Sequence, residues 1–291
     1  MRISGCCRVQ RRGGVVAAFL WVVVAFSPAA RGQVFDWPTS PGWTAGQPTI
    51  NGPDQTVDYS STGQNISVTL SNTGATWNTG YPQVAANGTG YVNGGTTNNG
   101  LILQPIAQTT TSTYIQLTIN FNNPGGVNNV SFQIWDVDGQ ADASNNGYID
   151  AITHLQAIAV GGEILFPDLV DNTHTSNPGT PYNVITGSGA TLAITGDPNL
   201  PAANGTDEGT VNIGFSQAIT QISFWYSNAT TGALTGQTVG ISPITYSILP
   251  ETSPRWALAA VCMAAIALEL RRRRSAPKVS RFQSNLDRAR S

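Results

Sequence analysis

Between residues 33 and 250, apolar and polar positions alternate in short runs. Over 114–122, Ile115, Leu117, Ile119 and Phe121 point one way, while Gln116, Thr118 and Asn120 point the other. Over 129–137, Val130, Phe132 and Ile134 alternate with Ser131 and Gln133. The pattern returns at Val211, Ile213 and Phe215, at Ile222, Phe224 and Tyr226, and at Ile244, Tyr246 and Ile248. A period of two is the signature of a strand, and a single apolar face means an antiparallel sheet buried on one side. Asn-Gly pairs begin at 51, 87, 93, 99, 146 and 204, and such pairs favour the positive-φ turns of hairpins. No helical period of convincing length interrupts 33–250. The pattern predicts an all-β domain over 33–248, a two-sheet antiparallel β-sandwich of jelly-roll-like form with about ten to twelve short strands. Residues 33–55 and 71–100, rich in Gly, Thr, Asn and Pro, read as loops or edge strands. The short strands disfavour an outer-membrane barrel, and no fixed-period repeat points to a solenoid.

The two ends break this pattern. Residues 1–32 read as a secretory signal peptide. Arg2, Arg8, Arg11 and Arg12 precede a twelve-residue apolar run over 15–26, Ser27-Pro28 breaks it, and Ala30-Arg31-Gly32 places small residues for cleavage before Gln33. Cys6 precedes the apolar run instead of following it, which argues against a lipoprotein box. At the other end, Leu249-Pro250-Glu251-Thr252-Ser253-Pro254-Arg255 leads into thirteen uncharged residues, 256–268, and then Glu269, Leu270 and four arginines, Arg271, Arg272, Arg273 and Arg274. A helix over 256–270 covers about 22 Å at ~1.5 Å per residue, a short span that snorkelling arginines and a thinned bilayer accommodate. The arginines place the tail 275–291 in the cytoplasm by the positive-inside rule, and the signal peptide places 33–248 outside.

The order of short motif, apolar helix and arginine cluster resembles the PEP-CTERM sorting signal. Pro250-Glu251, Thr252 in place of the second Pro, Trp256-Ala257-Leu258 and Arg271 to Arg274 carry the resemblance. It implies an exosortase-like processing enzyme as partner, insertion into the inner membrane, and sorting to the cell envelope or extracellular matrix. Leu249-Pro250-Glu251-Thr252 also matches four of the five positions of a sortase signal, LPxTG, and a plain membrane anchor is the third alternative. Within the exported part, Ser131-Phe132-Gln133-Ile134-Trp135-Asp136-Val137-Asp138-Gly139 and the later Ile222-Ser223-Phe224-Trp225-Tyr226-Ser227 resemble paired strands of a sandwich domain found in exported envelope proteins. That resemblance implies no single chemistry.

Charge narrows the function further. Of 14 Lys and Arg residues, none lies between Arg31 and Arg255, while 33–250 holds 13 of the 16 acidic residues, a formal charge of −13. A domain without one basic side chain cannot neutralise phosphates, which excludes nucleic-acid binding. It forms no ordinary salt bridges and attracts cations. It has no cysteine, so no disulfide holds it.

Catalytic chemistry is thin. His154 and His174, the two histidines, sit in no metal-ligand spacing, and no nucleophile–base pattern involves them. The acidic residues Asp136, Asp138 and Asp150 form a candidate calcium site. A hairpin centred on residue 143 sets Asp136 opposite Asp150 and Ile134 opposite Ile152, and opposed carboxylates invite a hard cation. Trp135 and Trp225 fall on the polar phase of their strands, where an exposed ring stacks on sugars; Trp37, Trp43 and Trp77 fall in expected loops. The expectation is a non-enzymatic structural or adhesive envelope protein associated with extracellular polysaccharide. The alternative is a lectin-like carbohydrate-binding module that uses calcium. An extracellular hydrolase is the third reading.

Overall fold

The structure, a computed structural model, describes residues 31–86, 99–106, 113–140, 147–172, 179–202, 207–229, 238–249 and 262–271. The described strands are β1 (Arg31–Phe35), β2 (Gln55–Asp58), β3 (Ile66–Asn72), β4 (Thr76–Trp77), β5 (Gln83–Ala86), β6 (Asn99–Leu103), β7 (Pro105–Ile106), β8 (Ile115–Phe121), β9 (Val127–Trp135) and β10 (Gly139–Gln140). They continue with β11 (Tyr148–Ala159), β12 (Ile164–Leu165), β13 (Leu169–Asp171), β14 (Asn183–Thr186), β15 (Ala193–Gly196), β16 (Val211–Phe215), β17 (Ile219–Asn228), β18 (Val239–Ile241) and β19 (Ile244–Ile248).

Their ladders are antiparallel and form two layers. One runs β2–β3–β8–β17–β11, with β10, β15 and β12 sharing the far edge of β11 and β14 beyond β15. The other runs β13–β16–β9, after which β18 and β19 share the far edge of β9. Beyond β18 come β6 and β5, and beyond β19 comes β1. One bridge, Ile219 to Val127, joins the layers. β4 and β7 form a separate small ribbon.

The apolar phase of each strand meets the other layer. In β3 and β8 burial alternates strictly along the strand. Leu70, Leu117, Ile119, Phe224 and Ile152 share one core with Phe132, Ile134, Ile213 and Ile241, and all are buried. Each such side chain contributes about 1.5–3 kcal/mol on burial. With no basic residue from 32 to 254, that burial and the ladders carry the stability.

The expected two-layer antiparallel sandwich is present, with more strands than expected because several are interrupted. β18 and β19 are one path broken at Ser242-Pro243. The segments read as loops or edges supply the edge strands β1 and β5, but also β6, which pairs on both sides. The expected hairpin is absent. β9 and β11 belong to different layers, and Ile134 pairs with Val211, not with Ile152. The cause is Asp136, whose φ of 64° ends β9 and turns the chain across the sandwich. The short β10 then pairs with β11, Gly139 with Ile149, so Asp138 and not Asp136 comes opposite Asp150.

Residues 1–30, 250–261 and 272–291 lie outside the described residues, and with them the signal peptide, Pro250, Glu251, Thr252, Trp256 and Arg272 to Arg274. Residues 262–271, ending at Arg271, are helical and exposed. No helix among the described residues is long and apolar enough to cross a membrane.

Candidate functional site

The outward phase of the second layer builds a groove of about 520 Å³. Register sets its lining. Leu169 pairs with Gly214, Gly214 with Ser131, Ser131 with Thr245, and Thr245 with Val34, which makes one row across five strands. The middle of the row is low because Gly214, Ser131 and Thr245 are small. Its rims are Leu169 and Val34, 49% and 52% exposed. Five strands at about 4.8 Å spacing set those rims roughly 19 Å apart. A second row, Asp171–Asn212–Gln133, runs beside the first. Gln133 Nε2 donates to Asn212 Oδ1 at 2.9 Å, and the Ser131 and Thr245 hydroxyls are 2.6 Å apart. The groove thus offers amides and hydroxyls in fixed orientation, with no cationic group.

Trp135 and Trp225 do point away from the core, as their phase predicts, but neither presents a free ring face. Trp135 is 1% exposed. Its ring lies flat over Gly100 and Gly240, where a Cβ would strike it, and its Nε1 donates to Gln133 Oε1 at 3.1 Å at the end of the groove. Trp225 lies between two rings: Tyr114 stacks on it at 3.8 Å between centroids, and His154 at 3.6 Å. His154 reaches that place through a bulge in β11, with φ of 53° and a register shift after Thr153. Trp37 is buried and donates to Ser242 O at 2.8 Å, while Trp77 donates to Pro48 O at 2.8 Å. These are packing roles. His174 lies outside the described residues.

The three aspartates do come together, by a route the sequence reading missed. Asp136, Asp138 and Asp150 are 7%, 2% and 0% exposed. Asp150 N donates to Asp138 O at 2.9 Å, and Asp138 N to Asp150 Oδ2 at 3.4 Å. Tyr226 donates its hydroxyl to Asp150 Oδ1 at 2.7 Å. Asp138 Oδ2 accepts from Tyr148 at 3.2 Å and from Ala202 N at 2.5 Å. Burial pushes the Asp136 and Asp150 carboxyls well above the usual range, and the Asp138 charge adds to this. Burial also raises Asp138, to about 6, against the hydrogen bonds from Ala202 and Tyr148.

The sequence reading did not single out Tyr114 or Asn183, and of the groove's residues it named only Trp135 as a candidate site. The groove's polar members were visible as the outward phase of β9, but their partners on β16, β13 and β1 come from distant register.

No family model matches the chain, and no curated protein matches it. Among solved structures, the K1 cleaved adhesin domain of Lys-gingipain from Porphyromonas gingivalis W83 is similar at 12% identity and a TM-score of 0.28, over 75% of this chain and 98% of that one. A mannan-recognising carbohydrate-binding module, TmCBM27, is similar at 11% identity and a TM-score of 0.30, over 67% and 95%. A family 11 carbohydrate-binding module from Clostridium thermocellum, in complex with a mixed-linked tetrasaccharide, is similar at 13% identity and a TM-score of 0.27, over 76% and 96%. Scores of this size establish neither a shared family nor a shared ligand for this chain.

Proposed function

We propose that this jelly-roll-like sandwich is an exported adhesive module that binds neutral polysaccharide in the groove across β13, β16, β9, β19 and β1. The groove's lining carries the proposal: an open trough in which Gln133, Asn212, Ser131 and Thr245 set amides and hydroxyls among apolar residues such as Val34, Leu169 and Pro243, long enough for several sugar units, in a domain without a basic residue. An acidic polymer would meet Asp171 and the negative charge of the whole domain, with nothing to pair its carboxylates. A neutral chain needs only hydroxyl partners and the apolar rims. Hydrolysis of a glycosidic bond calls for two carboxylates, and the described lining holds one, Asp171, which suits binding. The C-terminal segment 249–274 is the proposed sorting signal, read by an exosortase-like enzyme, which delivers the module from the inner membrane to the envelope or matrix.

The test is calorimetric titration of the full chain in detergent micelles with soluble mannan, mixed-linkage β-glucan and polygalacturonate. A neutral polymer should bind and polygalacturonate should not. The double variant Gln133→Ala, Asn212→Ala should weaken binding by about tenfold or more, the loss expected for two hydrogen bonds, while Thr69→Ala on the opposite layer should not. Equal binding of polygalacturonate, or an unaffected double variant, would overturn the groove assignment.

A further inference from the structure

We infer that the turn Asp136–Asp138, with Asp150 and Asn183, is a calcium site. It is independent of the groove. Two observations meet there. The first is the juxtaposition of Asp138 and Asp150 on directly paired backbone, both buried, in a domain with no Lys or Arg from 32 to 254. Buried carboxylates side by side hold protons or a cation.

The second observation is Asn183, which arrives from β14, a strand distant in sequence. Asn183 pairs with Gly196. Paired residues of an antiparallel ladder project to the same face. At Gly196 that direction runs into the Asp138 carbonyl, so a Cβ there would collide with it. The Asn183 side chain is therefore aimed at the turn. Its Nδ2 donates to Gly209 O at 3.2 Å, the same carbonyl that accepts from Val137 N at 3.0 Å. Its Oδ1 is buried and has no hydrogen-bond partner among the described residues, and the residue is 1% exposed. A buried acceptor set against the backbone of the turn that carries these carboxylates, and left without a donor, is costly, and a cation held there would relieve that cost.

The donor set selects the metal. Asp136, Asp138 and Asp150 do not by themselves hold the ion, because no group of three or more Asp, Glu, His or Cys side chains among the described residues is placed to hold a metal. The site instead mixes carboxylate, amide and backbone carbonyl oxygens, which suits a hard cation with flexible coordination. Magnesium demands a stricter octahedron, and zinc prefers nitrogen and sulfur.

The test uses the full chain in detergent micelles, stripped with chelator and titrated with CaCl₂ by calorimetry, with thermal melts in parallel. Saturable uptake of one ion is expected, at about 10⁻⁴–10⁻³ M as in extracellular modules. Calcium should raise the melting temperature by mass action. Asn183→Ala should weaken uptake about tenfold, the size of effect seen when one supporting group of a metal site is removed. Asp150→Asn should abolish uptake. Asp168→Asn, at an exposed carboxylate remote from the turn, should leave calcium uptake unchanged. If either variant fails to fold, uptake by the wild-type chain decides. A wild-type chain that takes up no calcium and melts alike in calcium and in chelator overturns the site, as does full affinity in a folded Asn183→Ala chain.

Discussion

Asp136 decides where the chain goes after β9. Its left-handed φ costs energy for a residue with a Cβ, although Asp tolerates it better than most. The consequence is that Asp138 crosses to the other layer and meets Asp150. That contact has a pH signature. An unfolded aspartate ionises near pH 4, whereas burial holds Asp138 protonated up to about 6. Between those values the folded chain carries the extra proton, so the stability it brings is complete below the unfolded value and is lost as pH rises through the folded one. Asp136 and Asp150, also shifted upward, extend the loss to higher pH. In calcium-free buffer, the melting temperature should fall between pH 4 and pH 7, and Asp138→Asn should flatten the profile. A flat wild-type profile measured by scanning calorimetry would contradict this account. The residue types here were visible in the chain, but their pairing was not. A hairpin centred on residue 143 assumes that two successive apolar runs lie in one sheet, and a single left-handed residue removes that assumption.

At the scale of elements, β9 shows what alternation does and does not encode. Its inward phase, Val130, Phe132 and Ile134, is core as the pattern predicts. Its outward phase ends in Trp135, whose exposure depends on other strands. Gly100 on β6 and Gly240 on β18 leave a flat bed for the ring. Gly240→Ala should destabilise the fold by about 1–3 kcal/mol through overpacking, because the new Cβ would lie 2.7 Å from Trp135 Cε3 and 3.1 Å from Ile102 Cδ1. Urea unfolding measures this. In a double-mutant cycle with Trp135→Phe, the two substitutions should be non-additive, since they share one contact. Additivity would mean that the ring does not rest on that glycine. The stack of Tyr114, Trp225 and His154 makes the same point on the other layer. Trp225 faces outward as its phase predicts, yet a bulge in β11 brings His154 over one of its faces.

For the whole molecule, the distribution of charge is as informative as the fold. All basic residues lie at the ends, so trypsin has no site between Arg31 and Arg255. Protein isolated from the cells that make it, denatured and digested, should leave 33–250 within one large fragment, and its mass reports both termini. A start at Gln33 fits removal of the signal peptide. An end before Arg255 fits processing at the Pro250-Glu251 motif, whereas an end at Arg255 fits an unprocessed anchor. Smaller internal fragments would contradict the charge distribution itself.

Alternation by itself determined the strands, their buried faces and the antiparallel sandwich, because one-sided burial is a local property repeated along each segment. Composition by itself determined that the sandwich holds no Lys or Arg salt bridge, because no Lys or Arg lies between Arg31 and Arg255. Only the tertiary structure decided which layer each strand joins, which outward tryptophan is covered, how five strands line one groove, and that Asn183 reaches the turn of Asp136–Asp138 through the Gly209 carbonyl. Each of those depends on register between residues far apart in the chain, and a local period of two carries no information about which distant strand will be the neighbour.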